Sequence, residues 1–342
     1  MINEKPGLNK RILLGMPNWF LFEEIKKKLE DLGFEVIDIA FSNKFKYASN
    51  RDRLISFIQK NILGNKDYKA RLNFRDTGKT IRETLQNYSE KIDYALLIRA
   101  DYYSIDFIKS VKEKVKVLVG YQWDGLDRFS WVKQRIPLFD RFFVFDPSDV
   151  HFSNVLPSTN FFIESSNSKN IEQDIPVYYL GIYTKKRVPQ LINLANQLNK
   201  INVSYNIKLI SNKESVLKKY HNEVIDVQSD YVSYEENLEL INRSRIIVDL
   251  LHDVHKGLSF RVFEAIGNEK KLILNNPEIL KYEFYDPANF FLVKDENYDG
   301  LEEFIKTPYK PLPEHIKEKY SFDNWIRYVL DIQPYLKIEL PK

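Results

Sequence analysis

Residues 252–275 read HDVHKGLSFRVFEAIGNEKKLILN and follow the apolar run 246–251, IIVDLL. The order is a buried strand, a polar loop holding Gly257, a short helix carrying Arg261 and Glu264, then Gly267 and a second strand over Leu272–Leu274. A strand–loop–helix–strand unit of this size is the building block of a parallel sheet. A loop that feeds a helix N-terminus points backbone N–H groups at an anion, so Gly257 to Ser259 are placed to cradle a diphosphate. Lys256 and Arg261 would balance its charge. Glu264, about one and a half turns into the unit, can accept hydrogen bonds from ribose hydroxyls. An ordinary amphipathic helix on a sheet, with Arg261 and Glu264 as a surface pair, has the same pattern, and these residues alone leave both readings open.

The same alternation runs outward in both directions. Towards the C-terminus of the chain, Ser321 opens a helix that buries Phe322, Trp325, Ile326 and Val329. Towards the N-terminus, Ser233 with Glu236 forms a capping box ahead of Leu238 and Ile241. Tyr205–Ile210 and Val177–Leu180 read as strands around a helix with the stripe Val188, Leu191, Ala195 and Leu198. Residues 156–175 are rich in Ser and Asn and are read as the connection between two domains. Before it come five expected strands: 11–15, 34–40, 94–98, 115–121 and 141–145. Asn18 is expected to cap a helix bearing Leu21, Ile25, Leu29 and Leu32 that Gly33 closes, and residues 45–90 to be mostly helical. Asp146-Pro147-Ser148-Asp149 reads as a helix start, which assigns both aspartates to capping. The expected domains are 1–165 and 166–342, with the last helix, about 321–332, crossing back to the first.

Composition fits this reading. Length 342 suits two domains, and 44% hydrophobic with 29% charged residues excludes wholesale disorder. Lys+Arg 51 against Asp+Glu 48 gives a net charge of +3 with no basic arm, so nucleic acid is not expected as a partner. With no cysteine there is neither a disulfide framework nor a Cys-ligated zinc site. No apolar run reaches the roughly 20 residues needed to span a bilayer, and Ile12–Phe22 reads better as a strand entering a helix than as a signal peptide. A cytoplasmic protein is expected.

Other motifs carry less. Asp76-Thr77-Gly78-Lys79-Thr80 lacks the earlier glycine of a phosphate loop, because position 73 is Asn, and is read as a turn before a helix. There is no G-x-G-x-x-G, so a nicotinamide dehydrogenase has no support. His252 and His255 flank Asp253 without a third ligand at recognisable spacing, so no metal is expected there. Asp124/Asp127 and Asp146/Asp149 are spaced by three and do not form the Asp-x-Asp of a metal-dependent transferase.

The region resembles the nucleotide-binding segment of GT-B glycosyltransferases, where a glutamate precedes Ala, a short spacer and two hydrophobics; here that is Glu264-Ala265, six residues and Leu272-Ile273. Tyr121-x-Trp123-Asp124, Phe139-Asp140 with Phe145-Asp146, Gly257-Leu258-Ser259, Arg261 and Tyr282-Glu283-Phe284-Tyr285 together resemble bacterial lipopolysaccharide and capsule biosynthesis proteins of about this length. The resemblance covers most of residues 90–295. It implies an α/β GT-B fold: two Rossmann-like parallel-sheet domains facing a cleft, with the C-terminal helix packing back. It also implies an enzyme moving a sugar from a nucleotide-sugar donor to a surface-glycan or lipid-linked glycan acceptor. No cofactor and no metal are expected, since Lys256, Arg261 and helix amides can stabilise the leaving diphosphate.

Donor contacts implied are Lys256, Gly257, Ser259, Arg261 and Glu264. Where the large retaining families carry a second glutamate, eight positions before the first, this chain has Lys256. That departure removes the basis for carrying over donor identity or a retaining mechanism. On the acceptor side the strand ends of the first domain offer Asn18, Arg99, Asp101 and Asp124. A base for the acceptor hydroxyl is expected at Asp124, with Asp101 second, against helix capping or ion pairing to Arg99 or Arg128. A protein that keeps the fold without catalysis, and a GT-B epimerase or polyol-phosphate transferase, are the alternatives. Peripheral contact with the inner membrane face, through Lys26–Lys28 and Trp19-Phe20, is a further expectation.

Overall fold

The computed structural model describes residues 5–17, 21–41, 47–65, 67–164, 171–220, 224–251 and 256–341. The chain begins β1 (Arg11–Gly15), α1 (Phe22–Asp31), β2 (Glu35–Asp38), α2 (Asn50–Asn61), α3 (Asp67–Gln86) and β3 (Ile92–Ile98). It continues α4 (Ile105–Lys114), β4 (Val115–Gln122), β5 (Arg141–Val144) and β6 (Leu156–Pro157). These six strands form one parallel sheet in the order β2-β1-β3-β4-β5-β6. Its central strands, IDYALLI and VKVLVGYQ, are apolar along most of their length because helices cover both faces. Ile12 and Leu14 point into one hydrophobic cluster and Leu13 into another, the period of two that a strand imposes.

The second half contains β7 (Ile175–Ile182), α5 (Arg187–Lys200), β8 (Tyr205–Ile210), α6 (Glu214–Lys219), β9 (Asp226–Gln228), α7 (Tyr234–Arg243) and β10 (Ser244–Asp249). It ends α8 (Phe260–Gly267), β11 (Lys271–Leu274), β12 (Phe290–Leu292), α9 (Leu301–Lys306), α10 (Glu314–Lys319) and α11 (Phe322–Leu330). The second sheet is also parallel, in the order β12-β11-β10-β7-β8-β9. The Ser233–Glu236 capping box is made in both directions. Two consecutive buried lysines staple this half. Lys270 Nζ donates to Asn242 O at the end of α7, and Lys271 Nζ donates to the Phe304 and Thr307 carbonyls at the end of α9.

Three expectations change. The first sheet has six strands rather than five, and β6 begins inside the stretch read as a connection. That stretch is no polar linker through residue 163: Ser158 to Ile163 are all buried, with Phe161 in a core of the first sheet and Phe162 in one of the second. The Ser- and Asn-rich run that coloured the reading, and with it the 165/166 boundary, lies outside the described residues. Gly78-Lys79 is not a turn before a helix but lies within the 20-residue α3.

The last helix returns to the first sheet. Phe322, Trp325, Ile326 and Val329 join the cluster of Ile12, Leu14, Leu96 and Val119. Trp325 Nε1 donates to Ser158 Oγ at 3.1 Å, and Arg141 donates to the Tyr328 and Val329 carbonyls.

Candidate functional site

In the second sheet the chain moves outward from β7 to β8 and β9, then returns to place β10 on the opposite side of β7. The connections leaving β7 and β10 therefore diverge, and an open parallel sheet binds ligands in the crevice this creates at the carboxyl ends of its strands. A cavity of about 330 Å³ lies there, lined by residues 180–182 at the end of β7, Asp249 and Leu250 at the end of β10, Tyr231 to Tyr234, Asn237, Gly257, Ser259 and Arg261. That volume suits part of a small-molecule ligand.

Arg187 at the start of α5 and Arg261 are its cations, and Arg261 is the one held from several sides. Nη2 donates to Leu180 O at 2.7 Å, Nη1 lies 3.3 Å from Asp249 Oδ1, and the guanidinium carbon sits 5.1 Å from the Tyr179 ring centroid. Burial opposes its charge, but Asp249 together with Tyr179, Glu264 and Tyr178 outweighs burial and raises its pKa. Glu264, one turn along α8, is only 6% exposed. Desolvation pushes its pKa up to about 7 despite the pull of Arg261 and a hydrogen bond with Tyr234. Glu264 does not itself line the cavity; it meets it through Arg261 and Tyr234, which do.

Ser259 occupies the N-cap position of α8 without capping it, and its buried Oγ has no hydrogen-bond partner. The first amides of a helix have no intrahelical acceptor. An unspent hydroxyl beside them on a cavity wall is a ready donor for an anion. Gly257 is required for a different reason: a Cβ there would stand 2.6 Å from the Phe145 ring of the first sheet's domain. Lys256 N donates to Asp146 Oδ2 at 2.8 Å, and Asn160 Nδ2 donates to Leu258 O at 2.9 Å. The loop is thus pinned to the first domain at three consecutive residues. Asp146 does more than cap its 3-10 turn, where it accepts from Ser148 N. The exposed Lys256 is not among the cavity residues.

The first sheet has its own divergence between β1 and β3, and Arg99 stands just past β3. Its backbone is left-handed, with φ 64°. Arg99 Nε and Nη2 grip the two oxygens of Asp101 at 2.7 and 2.8 Å, and Nη1 reaches Asp124 Oδ2 at 2.5 Å. Gln122 Nε2 adds a bond to Asp101, and Arg128 Nη1 takes the other Asp124 oxygen at 2.6 Å. Tyr102 and Phe129 rings lie 4.8 and 4.6 Å from the Arg99 guanidinium. The structure brings Arg99, Asp101 and Asp124 together as expected of neighbours on two strand ends, and it binds them as the ion pairs that were the alternative to a catalytic base. Asn18, Trp19, Phe20 and His252 to His255 lie outside the described residues.

Asp127 pairs with Lys133 at 2.9 Å, and Asp149 accepts from Leu126 N at 2.8 Å. Among the described residues no group of three or more His, Asp or Glu side chains is arranged to hold a metal. Sequence reading missed Asp249, Tyr234 and Asn237. The signal for Asp249 was present, as a lone acid at the end of an apolar strand. Tyr282 and Phe284 of the quoted tail are core residues, and Glu283 anchors Lys319 and Tyr320.

No family model and no curated relative matches this sequence. Solved structures do resemble the chain. The apo structure of OtsA is 9% identical with a TM-score of 0.55, covering 96% of this chain and 100% of that one. The Neisseria meningitidis UDP-GlcNAc 2-epimerase bound to UDP-GlcNAc is 12% identical, TM-score 0.52, covering 94% and 98%. AviGT4, a glycosyltransferase involved in avilamycin A biosynthesis, is 8% identical, TM-score 0.52, covering 87% and 88%. At such identities the likeness is one of fold, and the fold of this chain is GT-B: two Rossmann-like parallel-sheet domains facing a cleft, with the C-terminal helix packed back on the first.

Proposed function

We propose that the chain is a glycosyltransferase that holds a nucleotide-sugar donor in the second domain and transfers the sugar to a glycan or lipid-linked glycan acceptor brought by the first. The observation that carries this is the cavity at the β7/β10 divergence, with a cation, an uncommitted hydroxyl and a helix N-terminus on one wall. In this reading Ser259 and the first amides of α8 receive the diphosphate, Arg261 neutralises it as it leaves, and no metal is needed for that charge. The carboxyl of Glu264 fixes Arg261 and Tyr234 and so orders the ribose side of the pocket. Lys256 supplies charge at the cleft rim.

On the acceptor side Asp124 is a better base candidate than Asp101. Asp101 has both oxygens on Arg99, whereas one oxygen of Asp124 is held by Arg128, whose side chain is 37% exposed and can be displaced. An acceptor hydroxyl that displaced it would hydrogen-bond that oxygen and pass its proton there as the glycosidic bond forms. A lipopolysaccharide or capsule acceptor accords with the sequence resemblance.

A non-catalytic glycan- or partner-binding role is favoured by one specific observation: both candidate bases are already ion-paired. A panel of UDP-, GDP-, dTDP- and CMP-sugars, read by thermal stabilisation and by product analysis, separates the possibilities. Stabilisation with sugar transfer supports the proposal. Stabilisation without turnover supports the binding role, and an altered sugar still on its nucleotide supports an epimerase. If Glu264→Ala and Arg261→Ala, both folded, bind nucleotide as well as the parent does, the donor site is wrong.

A further inference from the structure

The helix α2 carries an apolar stripe that the protein leaves uncovered. Leu54, Phe57 and Ile58 are 60%, 61% and 37% exposed, and Ile62 at the C-cap and Leu63 beyond it are 71% and 63% exposed. At 100° per residue, positions 54, 57, 58 and 62 fall on one face. The opposite face meets the protein: Ser56 is buried, and Asp52, the only acid in the helix, lies 3.7 Å from Arg75 of α3. Arg51, Arg53 and Lys60 are exposed and border the apolar stripe. The outward face is therefore apolar at its centre, cationic at its margins and free of acids.

We propose that this face docks the protein on an anionic lipid surface, with the apolar side chains entering the headgroup–acyl boundary and Arg51, Arg53 and Lys60 meeting lipid phosphates. An interfacial helix has this division of apolar and basic residues. Charge decides against a second copy of the chain as the occupant, because a two-fold pairing of this face would set its cations against one another with no acid to offset them. The lysine run Lys26–Lys28 is a poorer anchor: it lies on α1, whose apolar residues Phe22, Ile25 and Leu29 are already buried, and Lys26 is 3.5 Å from Asp38. The inference stands apart from the donor site, since it uses none of that site's residues.

The test is sedimentation of the full chain with phosphatidylcholine vesicles and with phosphatidylcholine/phosphatidylglycerol vesicles, alongside light scattering without lipid. Selective, salt-sensitive binding to the anionic vesicles is expected. Phe57→Ser should weaken partitioning by about tenfold or more, and Arg53→Gln/Lys60→Gln by about 30-fold. These side chains are exposed, so all variants should melt with the parent, and the charge variant leaves the apolar stripe intact as an independent probe. The idea is overturned if the parent stays in the supernatant with both vesicle types or if both variants bind as the parent does. It is equally overturned if Phe57→Ser instead abolishes a dimer seen by light scattering.

Discussion

Arg99 and Arg261 stand at corresponding places, each where the connections of its own parallel sheet diverge, and each faces an aspartate and an aromatic ring. Their surroundings differ. Arg99 is clamped by two carboxylates between two rings, with its side chain 6% exposed, and the first divergence is filled by the protein's own charges. Arg261 meets one carboxylate at the longer distance of 3.3 Å, is 28% exposed and borders a cavity. The same topology thus gives a closed ion-pair knot in one domain and an open anion site in the other. Topology offers the crevice, and the side chains at the strand ends decide whether it is kept for a ligand.

The sharpest way to break this comparison is to remove each arginine in turn. Arg99→Met leaves Asp101 and Asp124 buried without their shared cation and should cost about 3–5 kcal/mol of stability, measured by urea unfolding. Arg261→Met should cost less stability, because one carboxylate, Asp249, loses a partner held at the longer distance of 3.3 Å, rather than two held at 2.5–2.8 Å. It should instead weaken nucleoside diphosphate binding by about 1.5–3 kcal/mol, roughly 10- to 100-fold, measured by titration calorimetry. Equal losses of stability in both variants would erase the distinction.

A second contrast is in pH. Glu264 titrates at about 7 in the folded protein because it is buried, well above an ordinary carboxyl. The folded state therefore holds its proton more tightly than the unfolded state. The stability this contributes is fully present below the unfolded carboxyl pKa and is lost as pH rises through about 7, a change on the order of 3 kcal/mol. Glu264→Gln should flatten that decline in melting temperature between pH 5 and 7.5. The parent-minus-variant difference isolates it from Asp149, which titrates at about 6 through its own burial. The smallest expected effect is at the rim of the cavity. Ser233→Ala removes one half of the capping box of α7 and should cost about 1 kcal/mol by urea unfolding, with nucleotide binding nearly unchanged.

Much of the architecture was legible because period and capping agree along the chain. The strand at 205–210 and the helix with the stripe Val188, Leu191, Ala195 and Leu198 fall where the pattern puts them, and Ser233 and Ser321 cap as read. The connection at 156–175 was misread because composition averages over a window. Six buried residues, with Phe161 and Phe162 turned to different cores, were diluted by the polar run after them. Gly78 was read as a turn residue because glycine commonly breaks a helix, yet α3 absorbs it. The cavity was only half legible. Gly257, Ser259 and Arg261 lie within five residues of sequence and are found from it, whereas Asp249, Tyr234 and Asn237 come from other elements and meet only through the strand order. Gly257 itself was assigned to an anion, while its closest constraint is the ring of Phe145.

The most direct test of the central claim is a crystal structure of the chain grown with a nucleoside diphosphate sugar. The account predicts the diphosphate within hydrogen-bonding distance of Ser259 and Arg261 in the β7/β10 cavity, with the Arg99–Asp124 pair unmoved. Ligand bound at the β1/β3 divergence, with the second-domain cavity left empty, would contradict it.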